Sequence, residues 1–388
     1  MKTKKAKTNT KKLTNNINDI LEFLVSHSDF EIKEHNLNEA GENFIIARQY
    51  STGLEYMIKD LGIPDLKLEK DEKAMYLREL HILSKTKNLF LQTLVGFTLT
   101  KPYWILTPYT YCVSLHSLIK NSSYKMNPTQ KTNIAIGIAH GMKYLHSRKI
   151  IHRDLNPKNI LLDYNLLPKI INFGFGKIIE NDEEFNKMTK QITSFNWSAP
   201  ELLNSNGGTK YSNEVDVYSY GLILYYLYTE KEPFEGLSLM DYFNEVVINC
   251  KRPSFPKNEK NGLTDLISEC WESDPLKRPP FDEIYYRLEK HMVSFPGTSE
   301  NGVNSLLTKI HKFENTSDIN LSEHVKHINE LLSSRKQKIH LPPQDMLTQY
   351  AREGNLEGFC QLFASHNLDI NQKDSSLFLF YKEYFLIF

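Results

Sequence analysis

The 388-residue sequence predicts an α+β fold and is long enough for two lobes. A small β-rich lobe carrying one helix comes first, a larger and mostly α lobe follows, and a helical segment ends the chain. Three observations predict it. Residues 37 to 59 read as two antiparallel strands around the turn Ser51-Thr52-Gly53. Residues 152 to 174, HRDLNPKNILLDYNLLPKIINFG, place two short apolar runs, Ile160-Leu161-Leu162 and Lys169-Ile170-Ile171, on either side of a turn. Val215 to Tyr228 is apolar nearly all round, which marks a helix buried on every side.

The totals narrow the function classes. Lys+Arg and Asp+Glu both number 47, so the overall charge gives no support for nucleic-acid binding. Cys112, Cys250, Cys270 and Cys360 show no metal-binding spacing and fit buried thiols in a reducing compartment. The N-terminus is basic but lacks the apolar core of a signal peptide. The run from Val215 to Tyr228 is too short for a bilayer and is interrupted by Asp216 and Ser219. A cytoplasmic protein with no membrane span is expected.

In chain order, residues 1–12 carry six lysines and no acids, a solvated tail. Residues 13–36 hold an expected amphipathic helix, with Ile17, Leu21, Leu24 and Val25 at helical spacing from Leu13 to Phe30. The main domain is expected over 37–292. Lys59 ends its second strand, and Glu79 follows on a helix whose apolar face holds Tyr76, Leu80 and Leu83. Tyr103 to Leu118 reads as strand, loop and helix. Ile134, Ile138, Met142 and Leu145 stripe the next helix, which delivers the chain to His152. Residues 293–346 are expected to be a helical linker, with Ile310 and Phe313 in a first piece and Val325, Ile328, Leu331 and Leu332 in a second. Pro342-Pro343 breaks it. A partial repeat over 347–374 and an apolar tail over 375–388 complete the chain.

The order of short motifs resembles the protein kinases. His152-Arg153-Asp154 is followed by Asn159 and then by Asn172-Phe173-Gly174. Trp197-Ser198-Ala199-Pro200-Glu201, the helix opening at Asp216, Pro233-Phe234, Cys270-Trp271, Asp274-Pro275 and Arg278-Pro279 come after it. The later motifs look most like the tyrosine-kinase-like group, whose active members mostly phosphorylate Ser and Thr. Residues 347–374, with Asp369-Ile370-Asn371, resemble the opening of an ankyrin repeat, present in one copy.

The kinase resemblance implies roles. Asp154 is the base, Asn159 a metal ligand, and Lys59 the phosphate clamp held by Glu79. Thr107 is the gatekeeper, and Pro108 to Thr110 the hinge that meets adenine. Met57 and Leu161 line the adenine pocket. Arg278 pairs with Glu201 in the interior, and Ser194 lies near Asp154. ATP and magnesium are the implied cofactors.

Four departures act on that same ligand. Asn172 stands where kinases carry a metal-binding Asp, and magnesium prefers anionic oxygens. Leu37, Glu39 and Glu42 fill the three glycine positions of the phosphate loop, with Gly41 out of register. Met57 replaces a small residue and narrows the pocket. Asn156 replaces a catalytic-loop lysine, for which Lys158 substitutes only if the loop bends differently. The sequence therefore predicts a pseudokinase that scaffolds protein partners through its large lobe and the ankyrin-like segment. The alternatives are a slow Ser/Thr kinase, with Asn159 holding the one remaining metal, and a nucleotide-binding switch without chemistry.

Overall fold

The computed structural model describes residues 23–37, 43–61, 70–100, 102–109, 112–121, 124–178, 194–203, 212–256 and 260–315. The small lobe is built on a five-stranded sheet in the order β1-β2-β3-β5-β4. Its strands are β1 (Phe30–Leu37), β2 (Asn43–Gln49), β3 (Glu55–Asp60), β4 (Gly96–Phe97) and β5 (Trp104–Pro108). The turn at Ser51-Thr52-Gly53 joins β2 to β3, with Gly53 at φ 68°. Helix α1 (Lys70–Lys85) packs Tyr76, Leu80 and Leu83 inward.

Two expectations are corrected here. The amphipathic helix over 13–36 does not form across its described part. A short 3-10 turn at His27–Asp29 leads straight into β1. Leu24 instead bridges Phe97, and the Val25 N–H donates to the Phe97 carbonyl at 3.0 Å. Consequently the sheet does not begin at residue 37. Leu37 ends β1, where it pairs with Asn43.

The large lobe has a helical frame. Helix α2 (Leu115–Lys120) is followed by α3 (Pro128–Ser147), α4 (Glu214–Thr229), α5 (Gly262–Cys270) and α6 (Phe281–Glu289). Helix α3 starts at Asn127, whose side chain exchanges bonds with Gln130, with Pro128 at the first helical position. Along α4 every residue from Val215 to Leu227 is buried, as its all-round apolar sequence predicts. Three short pairings lie between the frame and the small lobe: β6 (Val113–Ser114), β7 (Ile150–Ile151) with β10 (Lys177–Ile178), and the hairpin β8 (Ile160–Leu162) and β9 (Pro168–Ile170).

The start of the expected linker is part of this lobe. Val293 and Phe295 are buried, and helix α7 (Glu300–Asn315) sinks Val303, Leu306, Leu307, Ile310 and Phe313 into the core beside α3. Burying five such side chains stabilises by roughly 1.5–3 kcal/mol each, before the entropy of ordering the helix. A polar clip ends the contact. The Asn88 carbonyl oxygen accepts from Phe90 N–H at 2.8 Å, so its amide N–H₂ faces His140 Nδ1 at 3.2 Å. Nδ1 is therefore the acceptor, and Nε2–H donates to Glu314 at 3.0 Å. Burial holds His140 below the usual imidazole range, against the pull of Glu314. The second linker piece, the partial repeat over 347–374 and the apolar tail lie outside the described residues, as do residues 1–12.

Candidate active site

The site forms where the β8–β9 hairpin, α1 and the small-lobe sheet meet. Lys59 stands on β3, facing α1. Its ammonium donates to Glu79 at 3.3 Å and to Asn172 Oδ1 at 3.2 Å. Asn172 follows β9 in the left-handed region, at φ 68° and ψ 67°, a conformation that Asn and Asp tolerate better than other side chains.

The amide orientations follow from the donors. Lysine has no acceptor, so the Asn172 oxygen must face Lys59 and its N–H₂ must face the other way. That N–H₂ lies 3.3 Å from Asn159 Oδ1, the oxygen expected to bind metal. Asn159 in turn donates to Asp154 Oδ2 at 2.7 Å and to the Asp154 carbonyl at 2.7 Å. The result is a directed chain, Lys59 to Asn172 to Asn159 to Asp154, running from a cation to an anion through two amides. Asn156 closes the other side of the carboxylate, donating to Asp154 Oδ1 at 3.1 Å. Its own oxygen accepts from the Lys158 and Asn159 N–H groups, which fixes its orientation as well. Lys158 is exposed and does not take the place of the missing lysine.

Burial pushes the Asp154 carboxyl above its usual range. The charge of His152 and hydrogen bonds from Asn159, Asn156 and Ser194 oppose that shift. Ser194 thus sits beside the loop, as the sequence predicts, 3.4 Å from the Asn156 amide nitrogen.

Magnesium does not fit this arrangement. A hard cation needs oxygen lone pairs pointing inward. Here an amide N–H occupies the approach to Asn159 Oδ1, and the Asn172 oxygen is already held by an ammonium. Among the described residues no cluster of His, Cys, Asp and Glu offers another metal site. Met57, Thr107, Pro108, Leu161 and Ile171 line a cavity of about 60 Å³, with Thr107 buried and its hydroxyl donating to the Met57 carbonyl. Thr110, Glu39 and Glu42 lie outside the described residues.

Two functional side chains, Asp216 and Arg78, escape the motif-based reading of the site, and a third, Asn156, gains contacts that reading did not assign. Asp216, at the start of α4, accepts from His152 N–H and Arg153 N–H at 2.8 Å each and from His146 at 2.9 Å. It thereby holds Arg153 in the left-handed region, at φ 69°. Burial alone would raise its pKa, but the His146 bond and these donors bring the carboxyl below its usual range. Arg78, the neighbour of Glu79, donates to the Gly174 carbonyl at 3.0 Å and ties α1 to the loop after Asn172. Asn156 donates to the Asp154 carboxylate as described above. An aspartate inside an otherwise apolar helix is a visible signal for the first, the catalytic-loop departure is one for Asn156, and Arg78 has none. The buried pair predicted between Arg278 and Glu201 is present, bidentate at 2.6 and 3.1 Å.

The family described as protein tyrosine and serine/threonine kinase matches residues 33–288. The chain belongs to the protein kinase family. Among its relatives, the RGS domain-containing serine/threonine-protein kinase A of Dictyostelium discoideum is 32% identical over 278 residues, 71% of this chain and 24% of that protein. The dual specificity protein kinase pyk3 of the same organism is 34% identical over 275 residues, 70% of this chain and 20% of that protein. The chain therefore spans about a quarter or less of the length of these two kinases. The serine/threonine/tyrosine-protein kinase HT1 of Arabidopsis thaliana is 32% identical over 241 residues, 60% of each chain. The two-lobed architecture agrees with kinase membership. Among the described residues no helix is long and apolar enough to cross a membrane.

Proposed function

We propose that this kinase domain acts in signalling as a pseudokinase of the tyrosine-kinase-like group, a scaffold or a nucleotide-binding switch that needs no magnesium. One observation carries the reading: the directed chain from Lys59 through Asn172 and Asn159 to Asp154. In an active kinase the metal would join these groups. Here the Asn172 amide joins them, so the cleft is internally neutralised and its polar groups are paired without an ion. Losing one preorganised electrostatic contact costs about 3 kcal/mol, roughly a hundredfold in rate, and a charged ligand replaced by a neutral amide loses more. Lys59, Met57, Pro108, Thr110 and Leu161 would hold the nucleotide of a switch. Protein partners would meet the large lobe and the ankyrin-like segment.

The second reading, a slow Ser/Thr kinase, draws support from the Lys59–Glu79 pair and from the position of Asp154 beside Asn159. A thermal-shift titration with ATP in magnesium and in EDTA separates these readings. Ligand that binds only the folded state stabilises by about 2.7 kcal/mol at a hundredfold excess over Kd. An equal shift in both buffers is expected of the switch, and no shift in either is expected of the scaffold. A shift confined to magnesium, together with phosphate transfer lost in Asp154→Ala, would overturn both in favour of the kinase.

A further inference from the structure

We propose that Lys169 and Asp163 form a covalent capture site for small aldehydes at the rear of the cleft, in which the Lys169 amine condenses with the carbonyl to an imine. The hairpin register sets up the pair. Leu161 on β8 stands opposite Lys169 on β9. Side chains alternate along a strand, so Asp163 and Leu161 share a face with Lys169 and Ile171. All four line the cavity, whose other walls include Met57, Leu91 and Thr107. On the opposite face Leu162 and Ile170 are buried in the core.

Within this cavity the two charged side chains are held but not spent on each other. The Asp163 Oδ1 accepts from Asn165 N–H at 2.8 Å and Leu167 N–H at 2.9 Å, which fixes the carboxyl plane. Among the described residues its Oδ2 receives no hydrogen bond, and no ion pair joins it to Lys169. The Lys169 nitrogen makes one bond, to the Leu89 carbonyl at 2.5 Å, out of the three an ammonium can donate. Such a pair, set apart along an apolar wall, leaves room for a polar ligand of a few heavy atoms.

The electrostatics favour reaction at this lysine. Burial pushes Lys169 down to about 8, against the attraction of Asp163. At pH 7 roughly a tenth of it is free amine, on the order of three-hundredfold more than for an unperturbed lysine near 10.4. Burial also raises the Asp163 carboxyl, so more of it carries a proton at a given pH than of an exposed aspartate. Lys59, by contrast, remains clamped between Glu79 and Asn172.

The step balances without any further reagent. The Lys169 lone pair forms the C–N bond as the carbonyl π pair moves to oxygen, and the nitrogen proton passes to that oxygen. The Asp163 carboxyl then protonates the carbinolamine hydroxyl, which leaves as water. The C=N bond forms, and loss of the remaining nitrogen proton restores the carboxyl. One amine and one aldehyde give one imine and one water.

Reductive labelling of the full chain with propionaldehyde and cyanoborohydride tests this, read by peptide mass spectrometry over time. Lys169 is expected to label at least tenfold faster than the median lysine at pH 7.5, with a pH midpoint near 8. Asp163→Asn keeps Oδ1 for the turn and is expected to slow Lys169 roughly tenfold, with other lysines unchanged. Labelling of wild-type Lys169 at or below the surface rate would overturn the site, even if no variant folds. Fast labelling that is indifferent to Asp163→Asn would remove Asp163 from it.

Discussion

Two aspartates of the same lobe, Asp216 fully buried and Asp154 partly buried, hold their protons in opposite ways. Asp216 accepts two backbone N–H groups and the ring of His146, and these donors lower its pKa in spite of full burial. Asp154 accepts side-chain amides from Asn156 and Asn159, and burial wins. The difference lies in what each group is for. Asp216 is an anion built into the frame, and it fixes the path of His152 and Arg153. Asp154 sits where chemistry would occur, surrounded by neutral amides that quieten it. The frame of a kinase is present, at the end of its cleft Asn172 links Lys59 to Asn159, and the two regions can be altered separately.

Breaking the frame is expected to give the largest effect. Asp216→Ala strands two backbone donors and a histidine and should cost about 3–5 kcal/mol, measured by chemical denaturation. A loss under 1 kcal/mol would mean the anchor is dispensable. Glu201→Ala leaves the Arg278 guanidinium buried without its carboxylate and should cost about 3 kcal/mol. Next comes the cleft. Asn172→Ala removes both amide links of the chain and should cost about 1–2 kcal/mol, with no phosphate transfer gained. Asn172→Asp is expected not to restore transfer, because Glu39 and Glu42 still stand at glycine positions of the phosphate loop. A strong gain of activity from that single change would reverse the assignment of the defect.

The smallest effect separates the two aspartates by pH. A raised folded pKa means that the folded protein binds the Asp154 proton more tightly than the unfolded chain. Its contribution is fully present below the ordinary carboxylate pKa and is lost as pH rises through the folded value. Asp216 contributes with the opposite sign: its stability is present above the ordinary value and is lost as pH falls through the lowered one. Relative to wild type, Asp154→Asn should therefore be more stable at pH 7 than at pH 4, the difference falling as the Asp154 carboxyl takes up its proton. A difference that widens on acidification would contradict the amide-saturated site.

Most of the frame was legible because it is written in residue identity. Arg278 and Glu201 announce each other through their motifs, and Lys59 and Glu79 through their order along the chain. β1 was not legible. Its sequence, FEIKEHNL, is a polar edge strand whose alternation is broken by an irregular register between Ile32 and Glu34. The helical spacing of Leu21, Leu24 and Val25 just upstream suggested a helix in its place. Helix α7 was legible as a helix but not as part of the core, since an apolar stripe does not say what it covers. The Asn172 substitution could be read as a lost charge. That its amide would bridge Lys59 and Asn159 needed the fold, because those partners lie more than a hundred residues and thirteen residues away.

The clip at the end of α7 also has a mechanical meaning. Glu314 lies one residue from the end of that helix, and through His140 it is hydrogen-bonded to Asn88, which fixes the backbone of Phe90. The next residue, Leu91, is in the cavity wall. Tension applied to the chain beyond Asn315 would therefore bear on this line of hydrogen bonds, and the load would reach the wall of the cleft without crossing the catalytic loop.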